Sequence, residues 1–209
     1  MIISFVNQKG GSGKTTLALN VAAAFAQGGA RVLLVDADPQ ATASDWAATR
    51  TLPPPFQVIQ ISKPVLHRDL PAMNKDYDHI IIDGPPRSYD VARSVILASD
   101  IILVPVQPSG ADFWATKEIV NLIKEASGFK ETQKSALLLS RKILKTAIGR
   151  DMYEALTTFD LPVFKAGTTQ RVAYAESITG GKTVFEQDGA KLVTQEINAI
   201  KNEITEFMV

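Results

Sequence analysis

The residues with the clearest chemical meaning in this 209-residue chain are the eight from Lys9 to Thr16, Lys-Gly-Gly-Ser-Gly-Lys-Thr-Thr. They lie between an apolar run, 2–6, and an Ala/Leu-rich stretch, 15–27, so they form a turn between a predicted strand and a predicted helix. Glycines in such a turn let backbone N–H groups approach phosphate oxygens, and the positive end of the helix adds to the attraction. The pattern predicts a phosphate-binding loop for a nucleoside triphosphate, formed by Gly10, Gly11, Ser12, Gly13, Lys14, Thr15 and Thr16.

The two lysines of this loop stand at different positions and are expected to have different roles. Lys14 opens the helix and can contact the β- and γ-phosphates, while the hydroxyl of Thr15 can ligate Mg²⁺. Lys9 stands at the loop entrance, too early to duplicate the role of Lys14. The ordinary P-loop pattern also requires a glycine where this chain has Gln8, so the loop is a variant of that pattern.

Three aspartates follow predicted strands and are the candidates for metal and water chemistry. Hydrolysis of a nucleoside triphosphate needs a carboxylate that holds Mg²⁺ or its waters and a group that places the attacking water. Asp83, followed by Gly-Pro-Pro, is predicted to hold Mg²⁺ through a water molecule, and Asp36 and Asp38 follow an earlier strand. The alternative for each aspartate is a helix N-cap, which is common after a strand.

The elements that position these residues alternate between strands and helices. Strands are predicted at 2–6, 31–35, 57–61, 80–82, 101–106, 135–140 and 161–164, and helices at 15–27, 41–50, 65–74, 89–98, 111–126 and 149–158, with two more helices after them, the last from 189. The strands are continuous apolar runs, which is typical of a parallel sheet buried on both faces. We therefore expect one α/β domain over residues 1–209, a mostly parallel twisted sheet with helices on both faces and ligands at the carboxyl ends of its strands.

Composition narrows the classes of protein further. Hydrophobic residues make up 45% of the chain, and 22 basic residues balance 22 acidic ones, which excludes a polycationic tail or a disordered acidic protein. The absence of cysteine excludes disulfides, thiolate metal sites and a cysteine nucleophile. The first apolar run is too short for a signal sequence, and no stretch approaches the roughly 18 apolar residues of a membrane span. These features favour a cytoplasmic protein.

Three motifs together resemble those of the ParA/MinD family of deviant Walker A ATPases. The loop from Lys9 to Thr16 resembles the deviant Walker A motif, 35–40 (Val-Asp-Ala-Asp-Pro-Gln) resembles switch I, and 82–86 (Ile-Asp-Gly-Pro-Pro) resembles Walker B with switch II. The length is most like that of the small ParA partition ATPases that lack an N-terminal DNA-reading domain. Because the glycine turn begins at residue 7, we expect no such domain before it.

The resemblance implies a P-loop NTPase fold, weak ATP hydrolysis with Mg²⁺, and a homodimer that sandwiches ATP. It implies that Lys9 crosses to the phosphates of the partner subunit, that Asp38 positions the attacking water, and that Asp36 supports the magnesium shell. Thr15 and Asp83 complete the implied metal site. The family usually contacts adenine from the loop after the 135–140 strand and from a later segment, here near Arg141 and near 167–169, and Arg141 could stack on the base.

The resemblance also implies binding to non-specific DNA, for which the chain has basic candidates. Six basic residues and one acidic residue lie within 130–150, a net charge of +5, although the whole chain is neutral. Such a cluster can contact phosphates without reading sequence. Lys142 and Lys145 belong to this cluster, and Arg171 resembles an arginine that the family uses for DNA.

The sequence supports a function in DNA partition and leaves alternatives open. We expect an ATPase that partitions a plasmid or chromosome, is associated with the nucleoid, and is released from DNA when a centromere-binding or cargo adaptor stimulates hydrolysis. A MinD-like role at a membrane is disfavoured, because the helical stripe Val193, Ile197, Ile200, Ile204 and Phe207 has an acidic polar face, where a membrane-surface helix is basic. We expect that stripe to pack on the sheet. Other cargo-positioning ATPases and metabolic P-loop enzymes remain as alternatives.

Overall fold

The chain folds into alternating strands and helices in a computed structural model that describes residues 1–127, 130, 132–143 and 146–208, with the backbone alone at 127 and 147–150. The strands are β1 Ile2–Phe5, β2 Val32–Asp36, β3 Gln57–Gln60, β4 His79–Asp83, β5 Ile101–Val106 and β6 Lys134–Leu139. The α-helices are α1 Lys14–Gln27, α2 Thr42–Ala48, α3 Leu66–Met73, α4 Tyr89–Ala98, α5 Gly110–Ser127, α6 Ala147–Leu156, α7 Val172–Thr179 and α8 Lys191–Met208. Two short 3₁₀ turns lie at Thr157–Phe159 and Val184–Glu186.

The six strands form one sheet in the order β3-β2-β4-β1-β5-β6, and every ladder between them is parallel. The predicted α/β fold is thus confirmed, with a sheet that is parallel throughout these six strands. In register, Asp83 at the end of β4 lies beside Asp36 at the end of β2 and beside Phe5 at the end of β1. The carboxyl ends of the central strands therefore meet at one edge of the sheet, directly below the glycine turn.

Apolar side chains cover both faces of the sheet, because successive residues of a strand point to opposite faces. Ile3 and Phe5 of β1 belong to the apolar layer shared with α1 and α8. Ile2 and Val6 belong to the other layer, shared with α3, α4 and α5. The prediction of helices on both faces is confirmed, and it explains why the strands read as continuous apolar runs.

The amphipathic C-terminal helix packs on this sheet, as its acidic polar face predicted. Val193, Ile197, Ile200 and Ile204 of α8 are fully or almost fully buried, and Phe207 packs against the same layer. In the part of the chain that the structure describes, no helix is both long enough and apolar enough to span a membrane.

The predicted strand at 161–164 was wrong. The segment makes one isolated bridge, Leu137 with Val163, and two backbone hydrogen bonds to β6, from Leu137 N to Pro162 O (2.8 Å) and from Phe164 N to Leu137 O (2.9 Å). Proline lacks an N–H donor and so shortens a ladder at this edge. The apolar run was read correctly as buried chain next to the sheet but incorrectly as a strand.

Candidate nucleotide site

The glycine turn closes over the carboxyl edge of the sheet and is fastened from two later loops. Gly11 and Gly13 adopt left-handed backbone conformations, with φ of 76° and 93°, which residues with a Cβ rarely adopt. The Gln107 side chain after β5 donates to Gly11 O (2.6 Å), and the Ser140 hydroxyl after β6 donates to Ser12 O (2.7 Å). Sequence reasoning missed both anchors, because neither residue belongs to a recognisable motif.

Lys14 bends back across the turn, with its ammonium group donating to the carbonyl of Lys9 at 3.1 Å. The side chain is buried, and that burial lowers the pKa of Lys14, against the opposing effect of the negative charges of Asp83 and Asp38. Burial removes water from the Lys14 ammonium group, and the negatively charged oxygens of a bound phosphate would compensate for that loss. The arrangement is suited to a phosphate group.

Asp83 is the residue best suited to hold a metal ion. Its side chain is fully buried, and neither carboxylate oxygen has a hydrogen-bonding partner among the described residues. Burial raises the pKa of Asp83 to about 7, and the charge of Asp36 adds to this effect, while the Thr15 hydroxyl and Lys14 favour the ionised form. An unpartnered carboxylate beside a threonine hydroxyl is an oxygen donor set that Mg²⁺ accepts, directly or through waters. The predicted pair of Thr15 and Asp83 therefore fits a magnesium ion.

The carboxylate of Asp36 is hydrogen-bonded to neighbouring groups of its own chain. Its carboxylate accepts hydrogen bonds from Asp38 N (3.1 Å), Ser44 N (2.8 Å) and Ser44 Oγ (3.0 Å). Ser44 lies in the first turn of α2, so Asp36 acts as a brace between β2 and this helix. Burial raises the pKa of Asp36, and its hydrogen bonds with Ser44 oppose the rise. Asp36 stands beside the candidate metal ligands, but its oxygens are already used in fixing the loop.

Asp38 occupies the turn between β2 and α2. Its carboxylate accepts the backbone N–H of Gln40 (3.0 Å), and its carbonyl accepts that of Ala41 (2.9 Å). Ala41 is forced into a left-handed conformation, with φ of 55°, which is unfavourable for a residue with a Cβ. Asp38 is half-buried and close enough to influence the pKa of Lys14.

Lys9 does not point into the glycine turn of its own chain. Its ammonium group forms an ion pair with Asp112 in the first turn of α5. The Asp112 side chain is only 2% exposed and also accepts the Ser109 hydroxyl, whereas the Lys9 side chain is 34% exposed. Sequence reasoning missed Asp112, because the two residues are 103 positions apart and only the pairing of β1 with β5 brings them together.

A cavity of about 1060 Å³ opens beside the turn, large enough for a nucleoside. Gly13 and Thr16 line its inner end, and Arg141, Thr168 and Thr169 line its outer wall. Arg141 has a left-handed backbone, with φ of 51°, held by a hydrogen bond from its N–H to Thr168 Oγ1 (3.1 Å). The structure thus brings Arg141, together with Thr168 and Thr169 of the 167–169 segment, to the cavity next to the turn.

Of the predicted DNA contacts, two lie side by side. Lys142 and Arg171 both line the cavity mouth, and the two segments are linked by a hydrogen bond from Gln170 N to Lys142 O (2.9 Å). Lys145 lies outside the described residues, as does the side chain of Arg150.

The basic cluster inferred from 130–150 is not one surface. Lys130 pairs with Asp100, and Lys134 donates to Phe207 O at 2.8 Å. Both lie at the amino end of β5 and β6, whereas Arg141 and Lys142 follow the carboxyl end of β6. Strand β6 therefore separates Lys130 and Lys134 from Arg141 and Lys142, and the contact of Lys142 with DNA stays a prediction.

The family described as CobQ/CobB/MinD/ParA nucleotide binding domain matches residues 3–205. The chain is 32% identical to Maintenance of carboxysome distribution protein A of Halothiobacillus neapolitanus, over 97% of this chain and 95% of that protein. It is 28% identical to the chromosome-partitioning ATPase Soj of Thermus thermophilus, over 88% of this chain and 87% of that protein. Its fold is similar to that of the septum site-determining protein MinD of Pyrococcus horikoshii complexed with Mg-ADP, with a TM-score of 0.80, 20% identity, and coverage of 97% of this chain and 95% of that one.

Proposed function

Since the chain belongs to the CobQ/CobB/MinD/ParA family of nucleotide-binding domains, we propose that it positions a large cargo by cycles of ATP-dependent dimerisation and DNA binding. It is a P-loop ATPase of the ParA/MinD type, and the proposed cycle uses ATP and Mg²⁺. The family that the sequence motifs resembled is thereby confirmed. The kind of cargo is part of this proposal. The likeness to a carboxysome distribution protein and to a chromosome-partitioning ATPase supports a cargo too large to diffuse freely.

The observation that carries the proposal is the placement of Lys9. A lysine that served the nucleotide of its own chain would point into the turn, as Lys14 does, but Lys9 is turned aside to Asp112 and remains one-third exposed. It is therefore free to exchange its partner for a phosphate on a second copy. A positive charge supplied across a dimer would stabilise the charge that develops on the transferred phosphoryl group.

Each site residue has a defined part in the proposed cycle. Lys14 binds the β- and γ-phosphates, Thr15 and Asp83 hold the magnesium ion, and Asp38 orients the attacking water. Asp36 keeps the Asp38 turn in place through its hydrogen bonds to Ser44 and to the backbone of Asp38.

DNA binding in this scheme uses Lys142 and Arg171 at the cavity mouth. Because the net charge of the chain is zero, DNA binding depends on local basic groups, and dimerisation would double the number of these groups that contact one duplex. An adaptor attached to the cargo then stimulates hydrolysis and releases the dimer. A membrane-based cycle has less support, because the apolar stripe of α8 is already buried against the sheet.

The test is binding to random-sequence duplex DNA with and without ATP. The wild type should bind only with ATP, and the affinity should fall steeply between roughly 50 and 200 mM salt. Arg171→Ala removes one phosphate contact per protomer, so the slope of log K against log salt should fall by about 2 for the dimer. Arg68→Ala is the control, because Arg68 is an exposed arginine on α3 that pairs with its neighbour Asp69.

No ATP-dependent binding to any duplex at low salt would refute the DNA-based cycle. ATP-dependent binding that Lys9→Ala leaves intact would refute the role of Lys9. The adaptor is sought as the product of a gene beside this one, and it should raise the rate of ATP hydrolysis in the presence of DNA. A metabolic P-loop enzyme would instead depend on a small-molecule acceptor.

A further inference from the structure

Glu196 of α8 contacts four groups of the segment that follows residue 168, three through hydrogen bonds and one, the guanidinium group of Arg171, through an ion pair of 3.9 Å. Its carboxylate accepts hydrogen bonds from Thr169 N (3.0 Å), Thr169 Oγ1 (2.5 Å) and Tyr174 OH (2.8 Å). The side chain is 17% exposed, so these bonds are largely shielded from water. Hydrogen bonds to a charged acceptor are about twice as strong as neutral ones. One carboxylate therefore fixes both the start of this segment and the first turn of α7.

The groups that Glu196 holds form the outer wall of the nucleotide cavity. Thr169 and Tyr174 line the cavity whose inner end is Gly13 and Thr16 of the glycine turn. On its other side the wall is attached to the sheet, because Thr168 N donates to Leu139 O at 3.1 Å. The wall is thus fastened to the end of β6, to Arg141 and Lys142 just after that strand, and to a single glutamate of the last helix.

We propose that Glu196 is a positioning residue for nucleotide binding, which sets the cavity wall facing the nucleoside while leaving the phosphate chemistry untouched. It acts through Thr169 and Tyr174. The groups that take part in hydrolysis are Lys14 at the start of α1, Asp38 in the turn after β2, and Asp83 at the end of β4, and none of them is bonded to Glu196.

Because Glu196 acts at the nucleoside end of the site and not at the phosphate end, its loss should affect KM and kcat differently. An interaction made equally in the ground state and in the transition state changes KM and leaves kcat unaltered. A nucleoside in the cavity makes the same contacts before and during phosphoryl transfer. Loss of Glu196 should therefore weaken binding of ATP and ADP, with little effect on turnover at saturating ATP.

The same helix provides a matched control two turns further on. Glu203 accepts hydrogen bonds from Lys165 N (2.9 Å) and Ala166 N (2.8 Å), so it fastens the same connecting segment in the same way. Ala166 packs into the apolar layer beneath α8, outside the cavity lining. Glu203→Ala removes a comparable clamp from the same segment without touching the wall.

The experiment compares Glu196→Ala, Glu196→Gln and Glu203→Ala. ADP binding is measured by calorimetry, which does not require the proposed dimer or DNA, and KM and kcat are measured for ATP. Glu196→Ala should raise the Kd for ADP and the KM for ATP about tenfold, with kcat within about twofold of wild type. Glu196→Gln, which retains a neutral acceptor, should give a smaller rise, and Glu203→Ala should lower Tm with KM unchanged.

Inorganic triphosphate separates a wall effect from a general loss of structure. It carries the phosphates but no nucleoside, so Glu196→Ala should bind it with the wild-type affinity while binding ADP more weakly. The proposal is overturned if ADP affinity is unchanged, if triphosphate affinity falls in parallel, or if Glu203→Ala raises KM as much as Glu196→Ala does. Should Glu196→Ala fail to fold, Glu196→Gln decides, and unchanged ADP affinity in that variant overturns the proposal.

Discussion

Replacing Asp112 by asparagine should make the ATP-bound dimer tighter. Asp112 lies almost fully buried in the first turn of α5, where one carboxylate oxygen meets Lys9 and Ser109, and its other oxygen has no hydrogen-bonding partner among the described residues. Asparagine has nearly the same shape but no charge. The ion pair with Lys9 is then lost, while the packing around position 112 is retained.

The size of the effect follows from the exposure of the two partners. A hydrogen bond to a charged group contributes about 1.5–3 kcal/mol when shielded. The Lys9 side chain is 34% exposed, so solvent screening reduces the net value to about 1 kcal/mol. Both protomers must break this pair before their lysines cross, which amounts to about 2 kcal/mol per dimer. Asp112→Asn should therefore lower the dimer dissociation constant about 30-fold.

The assay is sedimentation or light scattering across a range of protein concentrations with a non-hydrolysable ATP analogue. ATP affinity at a concentration where the protein is monomeric should not change, because the Asp112 side chain bonds to Lys9 and Ser109 and to none of the groups assigned to ATP or magnesium in its own chain. Asp69→Asn is the control, since Asp69 is an exposed aspartate that pairs with its neighbour Arg68. Lys9→Ala should weaken the dimer, and Asp112→Asn should have no further effect in that background.

A dimer of Asp112→Asn that is no tighter than wild type would refute this reasoning. It would mean that the pair with Asp112 does not compete with the crossing of Lys9. A weaker dimer would show instead that Asp112 contributes to the dimer itself.

Three further predictions concern catalysis and stability. Asp38→Ala should bind Mg-ATP and dimerise but hydrolyse about 10²–10⁴-fold more slowly in single-turnover assays, because placing the water lowers only the transition-state barrier; loss of ATP binding would contradict this. Glu186 has its pKa lowered to about 2, chiefly by hydrogen bonding with Arg50, so its stabilising effect is present above about pH 4.5 and lost as the pH falls towards 2. In urea unfolding, the difference between wild type and Glu186→Gln should therefore shrink from pH 6 to pH 3, and a constant difference would contradict the pairing. Gly84→Ala should destabilise by about 1–3 kcal/mol, because its Cβ would lie 2.7 Å from a backbone carbonyl of β1, whereas Gly110→Ala, with nothing within 4 Å, should be nearly neutral in the same unfolding measurement.

The local patterns of the sequence determined the elements and the nucleotide turn. Predicted and observed bounds agree at 89–98 for α4 and at 101–106 for β5. Both are short segments whose apolar periodicity and end signals lie within a few residues. The prediction at 161–164 was wrong because an apolar run buried beside a sheet has the same pattern as a strand.

The order of the strands was beyond the reach of such patterns. A parallel sheet can be assembled from the same strands in several orders, and the sequence contained no signal that β4 would lie between β1 and β2. That order places Asp36 beside Asp83 in register. Asp36 accepts hydrogen bonds from Ser44, whereas neither carboxylate oxygen of Asp83 has a hydrogen-bonding partner among the described residues. The two aspartates, which the sequence assigned to one magnesium site, therefore differ in the hydrogen bonds that their carboxylates make.

The sequence by itself therefore determined that a phosphate-binding turn follows the first strand, that aspartates follow two of the later strands, and that the last helix packs on the sheet. Tertiary structure alone decided that Lys9 pairs with Asp112, that Lys134 and Lys142 lie at opposite ends of β6, and that Glu196 fastens the cavity wall. The physical reason is the range of the interactions. Helix and strand periodicity and turn-forming residues act between residues that are close in sequence. Pairs such as Lys9 with Asp112, 103 residues apart, form only when the strands have taken their order in the sheet.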